Sequence, residues 1–154
     1  MYNEKFMKEA LRQAKRAAAD GETPIGAVIV HNGEIIARGR NKREKKKNSL
    51  CHAEIIAINK ACRALGGWRL PDCELYVTLE PCPMCAGAVI QSRIDRVYCG
   101  AYDKKAGCAG SNQNLFESGM FNYDVDVQGG FMEEECAAVL SEFFAQLRKQ
   151  RRKQ

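Results

Sequence analysis

The chain has 154 residues, 45% of them hydrophobic and 28% charged. That balance is globular and excludes disordered, collagen-like and coiled-coil classes, and the length suits one domain over 1–154. No apolar run approaches the ~20 residues of a membrane helix, and Met1–Ala10 is charged where a secretory signal would be apolar, so a cytoplasmic protein is expected. The net charge of +5 is unevenly placed: the tail at 148–154 carries five basic residues and no acid, and without it the chain is neutral. A second basic cluster, Lys42–Lys47, is interrupted only by Glu44. Both clusters suit a polyanion such as nucleic acid, although charge alone does not separate binding from a solvated surface.

Asn3 is a candidate N-cap, followed by a helical apolar stripe through Phe6, Met7, Ala10, Leu11, Ala14, Ala17 and Ala18 that Gly21 ends. Ile25–His31 reads as a strand, Asn32-Gly33 as a two-residue hairpin turn, and Glu34–Arg40 as the returning strand. After a polar loop, His52–Leu65 has helical periodicity and stops at Gly66-Gly67. Trp68 follows and reads as a packing residue. Glu74–Leu79 is a predicted strand, Pro83–Gln91 a helix, Arg96–Gly100 a strand, and 107–119 a loop. Asp124–Gln128 could add a short last strand. Met132–Gln150 is a closing helix with Cys136, Val139, Leu140, Phe143, Phe144 and Leu147 on its apolar face. Strands separated by helices predict an α/β/α sandwich around a mixed sheet of about five strands.

Two segments carry chemistry: Cys51-His52-Ala53-Glu54 and Glu80-Pro81-Cys82-Pro83-Met84-Cys85. Each feeds the start of a predicted helix, and Pro83 suits the first helical position. Cys82 and Cys85 then share one turn, so their sulfurs can converge, and the helix N-terminus favours thiolates. With His52 they form a three-ligand set for which zinc is the natural metal, leaving the fourth position to water as in a catalytic site. Glu54, two residues past His52, is suited to general acid–base work on that water. His-x-Glu alone is common, and an isolated Cys-x-x-Cys fits a redox pair, half a zinc finger or two core thiols; the joint pattern is far more specific. His31, beside the hairpin turn, reads as a surface residue.

At these residues the chain resembles the cytidine/deoxycytidylate deaminase superfamily and, more narrowly, bacterial tRNA-specific adenosine deaminases of the TadA type. The resemblance runs from Pro24-Ile25-Gly26-Ala27-Val28 through Gly39-Arg40-Asn41, both metal motifs and Gly100–Ser111 to Glu134–Ala138. The zinc motifs indicate only the superfamily, and Asp103–Ser111 indicates the tRNA branch. The resemblance implies one zinc ion per subunit on His52, Cys82 and Cys85, with Glu54 shuttling protons. It implies that Asn41 bonds the adenine ring, that Ile25, Ala53 and Leu79 wall the base, and that Asp103 contacts the flanking anticodon backbone or ribose. It also implies a homodimer acting on a tRNA anticodon loop. Cys51 and Cys108 depart from the expected pattern as extra thiols near the motifs. Two other readings stay open: a superfamily enzyme for a free base or nucleoside (guanine, cytosine, cytidine), and a non-enzymatic zinc module binding nucleic acid. The second needs a fourth ligand, for which Cys51 and Cys108 are the candidates.

Overall fold

In the computed structural model, which describes residues 1–153, the Asn3 side chain accepts a hydrogen bond from the Lys5 amide at 3.1 Å. It thereby satisfies a donor that every helix start leaves unpaired, and helix α1 spans Glu4–Ala19. Strands β1 (Gly26–His31) and β2 (Glu34–Arg40) form the hairpin. Both turn residues, Asn32 and Gly33, have positive φ, 50° and 82°, the backbone twist that matches the strands it joins. Then follow α2 (Ala53–Leu65), β3 (Cys73–Leu79), α3 (Pro83–Gln91), β4 (Arg96–Ala101), β5 (Asp126–Gln128) and α4 (Glu133–Arg152).

The five strands lie in the order β2-β1-β3-β4-β5. β1 runs antiparallel to β2 and β3, while β3–β4 and β4–β5 are parallel. Alternation along the strands loads both faces. Val28, Val30, Tyr76 and Tyr98 meet Phe6, Met7, Ala10 and Leu11 of α1 and Cys136 of α4. Ala27, Ile29, Leu75, Val77 and Val97 meet Ala53, Ala57, Ile58 and Ala61 of α2 and Val89 of α3. This is the expected three-layer sandwich. Two glycines set how close the helices come: a Cβ on Gly26 would meet the Ala14 amide at 2.5 Å, and one on Gly39 the Ala57 amide at 2.9 Å. α1 and α2 therefore lie directly on strand backbone near the end of the sheet where the site forms.

The structure corrects several details of the sequence reading. His52 is the cap before α2 and has extended backbone, so the helix itself begins at Ala53. α4 continues to Arg152, so most of the basic tail is helical and not a separate segment; Gln154 lies outside the described residues. The last strand is three residues long. Trp68 does not pack inside: it is 56% exposed, while Leu70 two residues on fills the core instead, and the Arg69 guanidinium lies 4.4 Å from the Trp68 ring. On the apolar face of α4 only Cys136 is buried. Leu140 and Phe144, four residues apart, turn to a cavity instead of the sheet.

Candidate metal centre and substrate cavity

The site gathers at the carboxyl ends of the parallel pair β3–β4, where the α2 and α3 N-termini meet. His52 and Cys82 are the caps of α2 and α3, and Cys85 sits in the first turn of α3. His52 Nδ1 lies 3.6 Å from each thiol sulfur, and the three donor atoms all fall within 4.8 Å of one another. Tetrahedral zinc with bonds of about 2.3 Å to sulfur and 2.0–2.1 Å to nitrogen separates N from S by about 3.6 Å, which both nitrogen–sulfur distances match. Among the described residues this is the one group of three such ligands. Neither half-exposed Cys51 nor buried Cys108 belongs to it, so a closed four-ligand structural site has no fourth thiol.

The electrostatics suit thiolate ligands. The Cys82 thiol is held down to about 4 by a hydrogen bond from Cys85, with the His52 ring assisting against the opposing effect of burial. Cys85, which gives that bond and is itself buried, is pushed up. His52 is raised, chiefly by its bond with Cys82. Glu54, in the first turn of α2, is 4% exposed, and burial pushes its carboxyl up to about 7.

A cavity of about 620 Å³ opens beside His52, within the roughly 300–1,000 Å³ typical of ligand sites. Ile25, Asn41, Leu79 and Asp103 line it. Ala53 does not; it is fully buried and its carbonyl faces Gly39. Asn41 is also buried, and its amide is already oriented: Nδ2 donates to the Thr23 carbonyl at 3.2 Å and Oδ1 accepts from the Arg43 amide at 3.1 Å. Asp103 Oδ1 accepts from the Lys105 and Ala106 amides, which folds the loop after β4 into a turn.

The sequence reading missed other parts of the cavity. Tyr102, Lys104 and Lys105 line its rim, and Leu140 and Phe144 reach it from α4. It also missed two buried carboxylates that hold the rims. Glu80 accepts bonds from the Asp103 amide (3.1 Å), the Ala109 amide (2.9 Å), the Ser111 amide (3.0 Å) and the Ser111 hydroxyl. Burial alone would raise the Glu80 carboxyl; the bonds from Ser111, Asp103 and Ala109 outweigh it and hold the group below its ordinary range. Across the cavity, buried Glu22 accepts from the Glu44 amide at 3.0 Å and the Lys45 amide at 2.7 Å, anchoring the basic loop. The only sequence cue for Glu80 is its place before Pro81 in the cysteine motif, and Glu22 has none.

Residues 1–101 match the cytidine and deoxycytidylate deaminase zinc-binding region. The chain belongs to this family. It is 54% identical to the tRNA-specific adenosine deaminase of Bacillus subtilis over 97% of this chain and 93% of that protein. Identity to the Aquifex aeolicus tRNA-specific adenosine deaminase is 47%, covering 96% of this chain and 97% of that one. Among solved structures, one from work on A-to-I editing by tRNA:A34 deaminases superposes with a TM-score of 0.87 at 44% identity, covering 90% of this chain and 100% of that one. A guanine deaminase from Nitrosomonas europaea superposes at 0.81 with 29% identity, covering 94% and 85%. The fold is thus shared by proteins described as acting on tRNA and on a free nucleobase.

Proposed function

We propose that this deaminase-family chain converts adenosine to inosine at the wobble position of a tRNA anticodon, as a cytoplasmic homodimer holding one zinc ion per subunit on His52, Cys82 and Cys85. The observation that carries the reading is a three-donor metal cluster whose His52 lines a cavity rimmed by Arg43, Lys104 and Lys105, with buried Glu54 two residues past that histidine. A free base or nucleoside needs no such ring of cations, whereas the phosphates around a base in RNA do. The relatives of nearly equal length that are tRNA-specific adenosine deaminases support the same substrate.

Bound zinc would supply Lewis acidity and lower the pKa of a water molecule to about 7. Glu54 would carry the two protons of the attacking water in turn, the first to the adenine ring nitrogen beside the attacked carbon and the second to the amine, which leaves as ammonia. Asn41 has one amide hydrogen committed to Thr23 and so presents the other, with its remaining oxygen lone pair, to the adenine edge. Ile25 and Leu79 wall the base. Asp103 keeps its second carboxylate oxygen for a flanking ribose or backbone group. A hairpin loop already splays its bases, so extrusion costs less than it would from a duplex.

The test is a parallel assay of zinc-loaded protein on an anticodon stem-loop RNA with adenosine at the wobble position, free adenosine, cytidine and guanine. Inosine in the RNA alone is expected. Turnover of guanine or a free nucleoside alone would overturn the substrate and leave the metal chemistry intact. Sedimentation at micromolar concentration should give the dimer mass.

A further inference from the structure

The basic loop anticipated from sequence is one part of a larger cationic face that only the fold assembles. Glu22 fixes the backbone of Glu44 and Lys45, in the loop that follows the strand at the outer edge of the sheet. That edge is β2, which contributes Arg38 and Arg40 on the face it shares with α1. α2 contributes Lys60, whose ammonium reaches over the strand to donate to the Arg38 carbonyl at 2.9 Å. Burial together with Arg40, Lys60, Lys46 and Lys45 presses the Lys42 ammonium down from its usual value. Burial and the nearby Arg40, Arg63, Arg16 and Arg38 do the same to Lys60. Two acids offset part of this charge: Glu9 pairs with Arg38 at 3.0 Å and Asp20 with Arg40 at 3.4 Å. Lys42, Lys46, Lys60 and Arg63 make no salt bridge among the described residues.

We propose that this face, running from the cavity mouth along the edge of β2 to the second half of α2, is the docking track for the paired stem that carries the target loop. The inference rests on the RNA-deaminase reading. Arg40-Asn41-Lys42-Arg43 makes the face continuous with the cavity, since Asn41 and Arg43 line it. Lys60 and Arg63 stand eight and eleven residues beyond His52, about 12 and 16 Å along the helix axis at ~1.5 Å per residue. That distance is several nucleotides from the reacting base. This carries the backbone out of a short loop and into its stem. The bland alternative is that charges on an exposed edge strand only deter sheet-to-sheet association. That role accounts for Arg38 and Lys60 but not for the concentration of cations from α1, the loop and α2 beside the cavity.

The decisive variant is K60A/R63A in the full-length zinc-loaded protein, because both residues are exposed and lie outside the loop and the cavity. Affinity is measured against salt for the anticodon stem-loop and for an oligonucleotide of the loop alone. Losing two phosphate contacts should flatten the log–log salt slope for the stem-loop by about 1.4–1.8. Between about 50 and 200 mM salt the variant should then lose about seven- to twelvefold less affinity than the parent. The slope for the loop alone should not move, and the charge-preserving K60R/R63K should restore the parental slope. An unchanged stem-loop slope in K60A/R63A, or an equal change on both RNAs, overturns the track. A parent protein that deaminates the stem-loop with such an unchanged slope loses only this inference; a parent that neither binds nor deaminates it loses the RNA-deaminase reading as well.

Discussion

Replacing Glu80 by Gln tests whether the loop after β4 is held by a single buried carboxylate. The parent side chain accepts four hydrogen bonds from Asp103, Ala109 and Ser111. A glutamine keeps one acceptor oxygen, so about two donors would face an amide NH₂ that cannot accept. At about 1.5–3 kcal/mol for each bond to a charged acceptor, the loss is about 3–6 kcal/mol. The 103–111 loop reaches solvent, and its freed amides can turn to water, so roughly half of that, about 2–3 kcal/mol, should register. In thermal unfolding this is a fall of about 4–12 °C. The effect has a pH signature. The folded Glu80 carboxyl lies below its ordinary value of 4.5, so its stabilisation is fully present above the unfolded value and is lost as pH falls through the folded one. The variant should therefore have a flatter acid limb than the parent. Because the loop carries Asp103, the KM for stem-loop RNA should rise several-fold more than kcat falls, with zinc content unchanged. A variant within about 0.5 kcal/mol of the parent and with the same KM would refute the anchoring role.

Glu54→Ala should keep its zinc and lose about 10²–10⁴-fold in turnover, the usual contribution of a positioned acid–base group; near-parental kcat with zinc bound would remove it from the chemistry. Cys82→Ala should fall well short of one zinc per chain by elemental analysis, and full metal content would refute the ligand set. A chain ending at Leu147 keeps Leu140 and Phe144 at the cavity but removes the cationic end of α4. Its KM for RNA should rise and its salt dependence weaken with kcat little changed, and an unaltered salt slope would mean that the end of α4 is merely solvated.

Features set by neighbours in sequence were legible in advance. Asn32-Gly33 specifies its turn because both residues tolerate positive φ, and Pro83 starts α3 because its missing N–H is no loss there. The convergence of His52, Cys82 and Cys85 was legible because each sits at a helix start, and the two helices share one face of the sheet. Features set by distant backbone were not. Glu22 and Glu80 bond peptide groups 22 to 31 residues away, and a peptide N–H has no residue identity to read. Phe144 and Leu140 fit the apolar stripe of α4, but only the placement of that helix decides between sheet and cavity. Trp68 is hydrophobic enough to suggest packing, but Leu70 takes the core position in that segment and leaves Trp68 exposed.

The anchoring of both rims through peptide groups separates the shape of the cavity mouth from the side chains displayed on it. Glu22 bonds the amides of positions 44 and 45, and Glu80 those of 103, 109 and 111, whatever side chains stand there. Proline, which has no amide hydrogen, is the substitution those positions cannot accept. The rim is thus a fixed frame with exchangeable tips at 42–47 and 104–106. Combinatorial replacement of those tips can retune which nucleotides are admitted while the fold and the metal cluster stay as they are.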